Sequence, residues 1–199
     1  MTDSQISLRD RAYCKKIRKM LKRIAAIILV VLTISLTACA TSPTSGLKPY
    51  VNSYKGYEFL YPNGWVEVPV KTGPDVVFKD LIESSENVSV VISEVPKSQS
   101  LKDVGDPSEV GYKILKKAIA PEGSGREAEL VNATVVEKKE KTYYILEYAV
   151  KLANQKRHDI ASVAISRGKL FSLNVSTTAD RWKNTAETLK EVVASFSVY

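Results

Sequence analysis

Residues 130–177, LVNATVVEKKEKTYYILEYAVKLANQKRHDIASVAISRGKLFSLNVST, decide the fold. β-Branched and aromatic residues dominate four runs that charged or turn-forming residues separate, which predicts four long strands. The predicted strands cover residues 130–138, 142–151, 158–167 and 169–177. Connections as short as Arg167-Gly168 leave no room for a crossover, so neighbouring strands are predicted to run antiparallel.

The last of these strands indicates how the sheet is covered. Phe171, Leu173 and Val175 alternate with Ser and Asn residues. Because successive side chains of a strand point to opposite faces, this alternation predicts one face against a core and one wetter face.

Two segments have the pattern of covering helices. Asp106, Pro107 and Glu109 provide an N-cap acid, a proline at the first helical position and a glutamate three residues after the cap, which predicts a helix from 106 to about 120. Apolar residues at helical spacing predict a second helix over 180–195. Shorter strands are predicted at 56–61, 65–68, 76–78 and 88–92, and a loop at 98–105. The predicted fold class is α+β, an antiparallel β-sheet meander sandwiched with helices.

The N-terminal region has the layout of an export signal. Lys22-Arg23 precede an apolar run, which ends in Leu36-Thr37-Ala38-Cys39 and resembles the bacterial lipobox. This pattern predicts a signal peptide over 1–38, removed to leave an acylated Cys39, then a flexible tether over 39–49 and a domain over 50–199. The alternative is a transmembrane helix, but the apolar run is shorter than the roughly 20 residues that crossing a bilayer requires. Translation could start at Met1 or at Met20.

The net charge argues against nucleic-acid binding, and the positions of the cysteines argue against a fold held by disulfides. The chain has a formal net charge of +7, but 8 of its 29 basic residues and 2 of its 22 acidic residues lie in 1–38. The remaining part is nearly neutral, so no general field directs it onto nucleic acid. Both cysteines, Cys14 and Cys39, lie outside the predicted folded domain, which therefore depends on a hydrophobic core rather than a disulfide.

Catalytic groupings are scarce in this sequence. It has one histidine, no G-x-S-x-G nucleophile elbow and no Gly-rich phosphate loop, so no enzyme activity is predicted.

Two groups of side chains could bind a metal ion. His158 and Asp159 offer an imidazole and a carboxylate that suit zinc, although adjacent residues of a strand point to opposite faces. The alternative is a surface histidine at the start of a strand, or a histidine that forms a salt bridge with an acid. Asp80, Glu83 and Glu86 offer carboxylates for calcium, with a solvated acidic loop as the alternative.

Charged hairpin tips and aromatic residues are further candidates for binding. Basic residues at two predicted tips, on what could be one end of the sheet, could contact acidic loops of a partner. They are Lys138, Lys139, Lys141, Lys156 and Arg157. The aromatic residues could form a ligand cage, but on alternating strands and a helix stripe they favour a core. They are Tyr57, Tyr61, Trp65, Tyr143, Tyr144, Tyr148 and Trp182.

Several short motifs, in their order and spacing, resemble the PsbP family of extrinsic photosystem II proteins, and within it the cyanobacterial lipoproteins. The motifs are Gly56-Tyr57-Glu58-Phe59, Tyr61-Pro62, Gly64-Trp65, 75–80, 87–90, Gly105-Asp106-Pro107, Val110-Gly111, 143–148, Arg157-His158, 168–171, Arg181-Trp182 and Ser195-Phe196.

This resemblance implies a non-enzymatic protein on the lumenal side of the thylakoid membrane. It would contact photosystem II lumenal subunits or assembly intermediates and support the oxygen-evolving complex, with a family association to calcium. The chain lacks the extra N-terminal segment of plant members and carries a lipobox that they lack, which favours an assembly or stability role over ion retention. The alternative hypothesis is a lipoprotein that binds a small molecule or metal in a pocket between sheet and helix.

Overall fold

The computed structural model describes residues 20–21 and 46–199. Except for Met20 and Leu21, the predicted signal segment lies outside the described residues, as do Cys39 and the tether as far as residue 45. Within the described residues, no helix is both long enough and apolar enough to cross a bilayer.

Within residues 46–199, ten strands form two antiparallel sheets. The strands are β1 (Leu47–Asn52), β2 (Tyr57–Pro62), β3 (Trp65–Glu67), β4 (Val76–Asp80), β5 (Asn87–Glu94), β6 (Glu127–Lys138), β7 (Lys141–Lys151), β8 (Lys156–Ser166), β9 (Lys169–Thr178) and β10 (Ser197–Val198). The large sheet has the order β3-β4-β5-β9-β8-β7-β6, and the small sheet has the order β1-β2-β10. The predicted four-stranded meander is confirmed as β6 to β9.

Three α-helices and one π turn complete the described chain: α1 (Leu101–Val104), α2 (Pro107–Ile114), the π turn (Leu115–Ile119) and α3 (Ala179–Ser195). Asp106 caps α2 by accepting a hydrogen bond from the Glu109 backbone amide at 2.9 Å, and the Glu109 carboxylate accepts from the Asp106 amide. The predicted helix start is therefore confirmed. The predicted loop at 98–105 is wrong, because Ser100 and Asp103 form a second capping box that begins α1.

The large sheet separates two hydrophobic clusters. On one face it packs against α3 and the small sheet, around Tyr57, Phe59 and Phe171. On the other face it packs against α1, α2 and the π turn, around Leu146 and Tyr148. This arrangement is an α+β sandwich, as predicted.

Strand β9 has the predicted alternation. Phe171, Leu173 and Val175 are buried, whereas the Ser and Asn residues between them are half-buried. The tight turn before β9 has positive φ at Arg167 and Gly168, and the β6–β7 turn has positive φ at Lys139 and Glu140. Two positive φ angles in a two-residue loop match the right-handed twist of the flanking strands.

The small sheet was not predicted. Its first strand begins at Leu47, three residues before the predicted domain start at residue 50, and all six residues of β1 pair with β2. Its last strand, β10, is two residues long and pairs with the other edge of β2. The Tyr199 amide donates to the Gly56 carbonyl at 3.0 Å, so the C-terminal strand is also joined to the β1–β2 turn.

Candidate docking surfaces and ion-binding side chains

The basic hairpin tips lie at opposite ends of the large sheet. The β6–β7 turn precedes β7 and the β7–β8 turn follows it, and this 11-residue strand spans about 36 Å. The prediction that Lys139 and Lys156 share one end is therefore wrong, because successive hairpins of a meander point in opposite directions.

Two of the predicted partner-binding residues make internal contacts. Lys138 Nζ donates to the Ala194, Ser195 and Phe196 carbonyls at 3.1–3.3 Å, where a cation stabilises the C-terminal end of α3. Burial lowers the pKa of Lys138, and the nearby charge of Lys139 lowers it further. Arg157 donates to the Ser176 hydroxyl and to the Ser85 carbonyl.

Basic residues from separate parts of the chain meet at the end of the sheet that carries Lys139. Lys141 Nζ donates to the Ser166 hydroxyl at 3.2 Å, which places Lys141 beside the β8–β9 turn that contains Arg167. The Lys97 side chain lies over Gly168 of the same turn. We call this group the distal basic end: Lys97, Lys139, Lys141 and Arg167. Lys97 and Arg167 were not among the predicted contact residues, because only the fold brings them to the hairpin.

His158 and Asp159 lie on opposite faces of β8, as the strand period predicts. His158 Nε2 lies 2.6 Å from Glu147 Oε1, and the imidazole ring stacks on Trp182 with ring centroids 3.8 Å apart. Asp159 accepts a hydrogen bond from the Ser176 hydroxyl on the other face. The two side chains therefore cannot bind the same ion.

Asp159 lines a cleft with a volume of about 480 Å³, in which apolar side chains surround a polar group of Asp159, Asn174, Ser176 and Arg157. Burial raises the pKa of Asp159 above its ordinary value, although the Ser176 hydrogen bond and the Arg157 charge oppose this effect. The cleft brings together one carboxylate and basic side chains. Among residues 20–21 and 46–199, no group of three or more His, Cys, Asp or Glu side chains is arranged to bind a metal ion.

Asp159→Asn is expected to raise the free energy of unfolding near about pH 7, by less than about 1 kcal/mol. A carboxyl group with a raised folded-state pKa stabilises the fold below its unfolded pKa, and this contribution is lost as pH rises through the folded pKa. The asparagine carries no charge, so its advantage should vanish below about pH 4. Urea unfolding at both pH values measures the difference. A variant less stable than the native chain at neutral pH would contradict the prediction.

The three acidic residues near the β4–β5 connection have different surroundings. Asp80 accepts from the backbone amides of Ile82 and Glu83, at 2.6 and 3.1 Å, and from Trp65 Nε1 at 3.1 Å. Burial acts to raise the pKa of Asp80, but these hydrogen bonds outweigh it and lower the pKa below the ordinary value. Glu83 accepts from Ser85.

Glu86 does not have the solvent exposure that the alternative of a solvated acidic loop requires. It is 2 % exposed and accepts hydrogen bonds from the Arg181 guanidinium and the Thr177 hydroxyl, both at 2.5 Å. Hydrogen bonding to Glu86 and its negative charge raise the pKa of Arg181. The ion pair joins the β4–β5 loop to the first turn of α3.

The aromatic residues form a packed interior. The Tyr57, Phe59 and Phe78 rings pack against Tyr50 at centroid distances of 5.2–6.0 Å, and Tyr144 and Tyr148 lie in the cluster on the other face. Tyr61 and Trp182 are half-buried and pack against the cluster that contains Tyr57 and Phe59. An apolar groove of about 280 Å³ lies between α3 and strands β6 and β7. This packing favours a core over a ligand cage.

The architecture defines a class of small α+β sandwich domains, in which helices and a second sheet cover the two faces of one large antiparallel sheet. The PsbP family matches residues 45–198, so the chain belongs to the PsbP family. It is 49% identical to CyanoP of Thermosynechococcus vestitus, with 90% of this chain and 100% of that protein covered. It is 42% identical to CyanoP of Synechocystis, with 92% and 100% covered.

A solved structure confirms the fold. The solution structure of cyanobacterial PsbP (CyanoP) from Synechocystis aligns with a TM-score of 0.68 and 43% sequence identity, covering 81% of this chain and 98% of that one. The family resemblance and the fold class predicted from sequence are both confirmed.

Proposed function

We propose that this protein is a lipid-anchored, non-catalytic protein on the lumenal side of the thylakoid membrane that docks on photosystem II. Its role is to support assembly or stability of the oxygen-evolving complex. The observation that carries the proposal is the match to cyanobacterial members of the PsbP family over the folded domain and most of the remaining chain. The lipobox pattern that ends at Cys39 supports the anchor.

The distal basic end is the surface that fits docking best. Lys97, Lys139 and Arg167 are exposed and Lys141 is half-buried, and they come from three different connections of the sheet. A cluster of cations favours an acidic surface and increases the rate of encounter with it. We therefore assign contact with acidic lumenal loops of photosystem II to this end. Lys138 and Arg157 are assigned structural roles instead.

Charge reversal tests this assignment. The double variant Lys139→Glu, Lys141→Glu is expected to bind photosystem II about tenfold more weakly, because each exposed ion pair contributes about 0.2–1 kcal/mol and reversal adds repulsion. Its residual binding should also depend less on salt. Copurification of the tagged chain with photosystem II at low and high salt measures both effects, and the intact mass of the same preparation reports acylation of Cys39.

Lys116→Glu, Lys117→Glu is the matched control. It makes the same change in net charge at two exposed positions of the π turn. Its copurification should equal that of the native chain. Equal retention of both double variants would remove the distal basic end from the proposal, whereas failure of the native chain to copurify would remove the docking function itself.

A further inference from the structure

Two apolar side chains project into solvent at the connection between β4 and β5. Leu81 is 68 % exposed and Ile82 is 98 % exposed. We call this pair the apolar tip. Isolated apolar residues are common on protein surfaces, but two adjacent ones at the end of a loop offer a compact group for an apolar partner.

The loop holds the apolar tip in a defined position. Asp80 accepts from the Ile82 amide, and the Asp80 amide donates to the Glu86 carbonyl at 3.2 Å. Glu86 is in turn bound by Arg181 of α3. The carboxylates at the base of the loop are thus engaged in internal contacts, while the two apolar side chains point outward.

The apolar tip lies at the end of the domain where the tether joins it. The Asn63 amide donates to the Gly46 carbonyl at 2.8 Å, and Trp65 pairs with Asp80 in the large sheet. Two residues of extended chain span about 7 Å and paired chains lie about 5 Å apart, so the path from Gly46 through Asn63, Trp65 and Asp80 places Ile82 within roughly 25 Å of Gly46.

The tether limits how far this end of the domain can lie from the bilayer. Seven residue steps separate Cys39 from Gly46 in the sequence, which reach at most about 25 Å when fully extended. An acylated Cys39 therefore keeps Gly46 within about 25 Å of the lipid surface, close enough for the apolar tip to reach it.

We propose that Leu81 and Ile82 form a second membrane contact, inserted at the boundary between lipid headgroups and acyl chains. This inference rests on acylation of Cys39, which belongs to the proposed function. Exposed Lys79 on β4 lies two residues before Leu81, and a basic residue beside inserted apolar ones favours an anionic lipid surface. With two contacts, the domain has a fixed orientation in which the distal basic end points away from the bilayer.

An environment-sensitive fluorophore tests the contact. Ile82→Cys is labelled with a nitrobenzoxadiazole dye in the acylated full-length protein, which is bound to vesicles of phosphatidylcholine and phosphatidylglycerol. Tyr54→Cys is the matched control, because Tyr54 is 94 % exposed and lies in the β1–β2 turn at the opposite end of the fold. The emission at position 82 should shift to the blue and be quenched by nitroxide lipids, whereas the emission at position 54 should remain that of a dye in water.

Each other outcome has a distinct meaning. Vesicle flotation with position 82 still in water would overturn insertion and leave the anchor intact. Absence of flotation would overturn both the anchor and the insertion that rests on it. A blue shift at position 82 that requires photosystem II particles rather than lipid would identify the apolar tip as a protein contact, which also overturns the proposal.

Discussion

Arg181→Ala is expected to lower the free energy of unfolding by about 2–4 kcal/mol. The substitution leaves the carboxylate of Glu86 without its cation, and Glu86 is 2 % exposed. A buried charge that loses its partner retains the cost of its desolvation. The Arg181 side chain is 46% exposed, so water can replace part of the lost interaction, and we expect less than the full effect of a deeply buried pair. Urea unfolding followed by circular dichroism measures the loss.

A double-mutant cycle separates this mechanism from a general weakening of α3. The variant Glu86→Gln, Arg181→Ala has no buried charge, so it should be less destabilised than the sum of the two single variants. Lys183→Ala, at an exposed position in the same helix, should change stability by less than about 0.5 kcal/mol. Additive effects in the cycle would show that Glu86 and Arg181 do not act as a pair.

Phe171→Ala is expected to lower the free energy of unfolding by about 3–5 kcal/mol. Phe171 is 0 % exposed on β9, between the large sheet and the small one, and its ring lies 6.1 Å from that of Tyr57. Truncation removes the transfer free energy of the ring and leaves a cavity between two layers of strands. Urea denaturation of the two proteins at equal concentration checks the value.

The next residue provides the control for Phe171. Ser172 points to the other face, where its hydroxyl donates to Asn174 Oδ1 at 3.2 Å. Ser172→Ala should cost less than about 1.5 kcal/mol, since it removes one hydrogen bond and opens no large cavity. Similar losses for the two variants would contradict the assignment of faces along β9.

The parts of the fold that sequence analysis predicted correctly depend on local patterns. Strands β6 to β9 follow one another with short connections, and the alternation along β9 can be read within one strand. The start of α2 was equally clear, because Asp106, Pro107 and Glu109 lie within four residues. Tertiary contacts stabilise these elements but do not change the secondary structure that the local sequence favours.

The parts that were missed depend on contacts between distant residues. Glu86 and Arg181 are 95 positions apart, so no local pattern distinguishes this carboxylate from its half-buried neighbour Glu83. Strand β10 is too short to have a period. The sequence could have shown that Lys156 and Lys139 lie at opposite ends of the sheet. Their two turns are separated by a single strand of the meander, β7, and a strand has one turn at each end. The apolar tip could have been predicted from the sequence, because Leu81 and Ile82 are two adjacent apolar residues within a polar turn.

The pairing of β10 with β2 has a consequence for the timing of folding. Until Ser197 and Val198 are available, β2 lacks a neighbour on one edge, and Tyr57 and Phe59 lack part of their enclosure. A nascent chain must therefore be synthesised as far as Val198 before β2 has a neighbour on both edges. The N-terminal strands of the domain thus complete their sheet only when its C-terminal strand has been made.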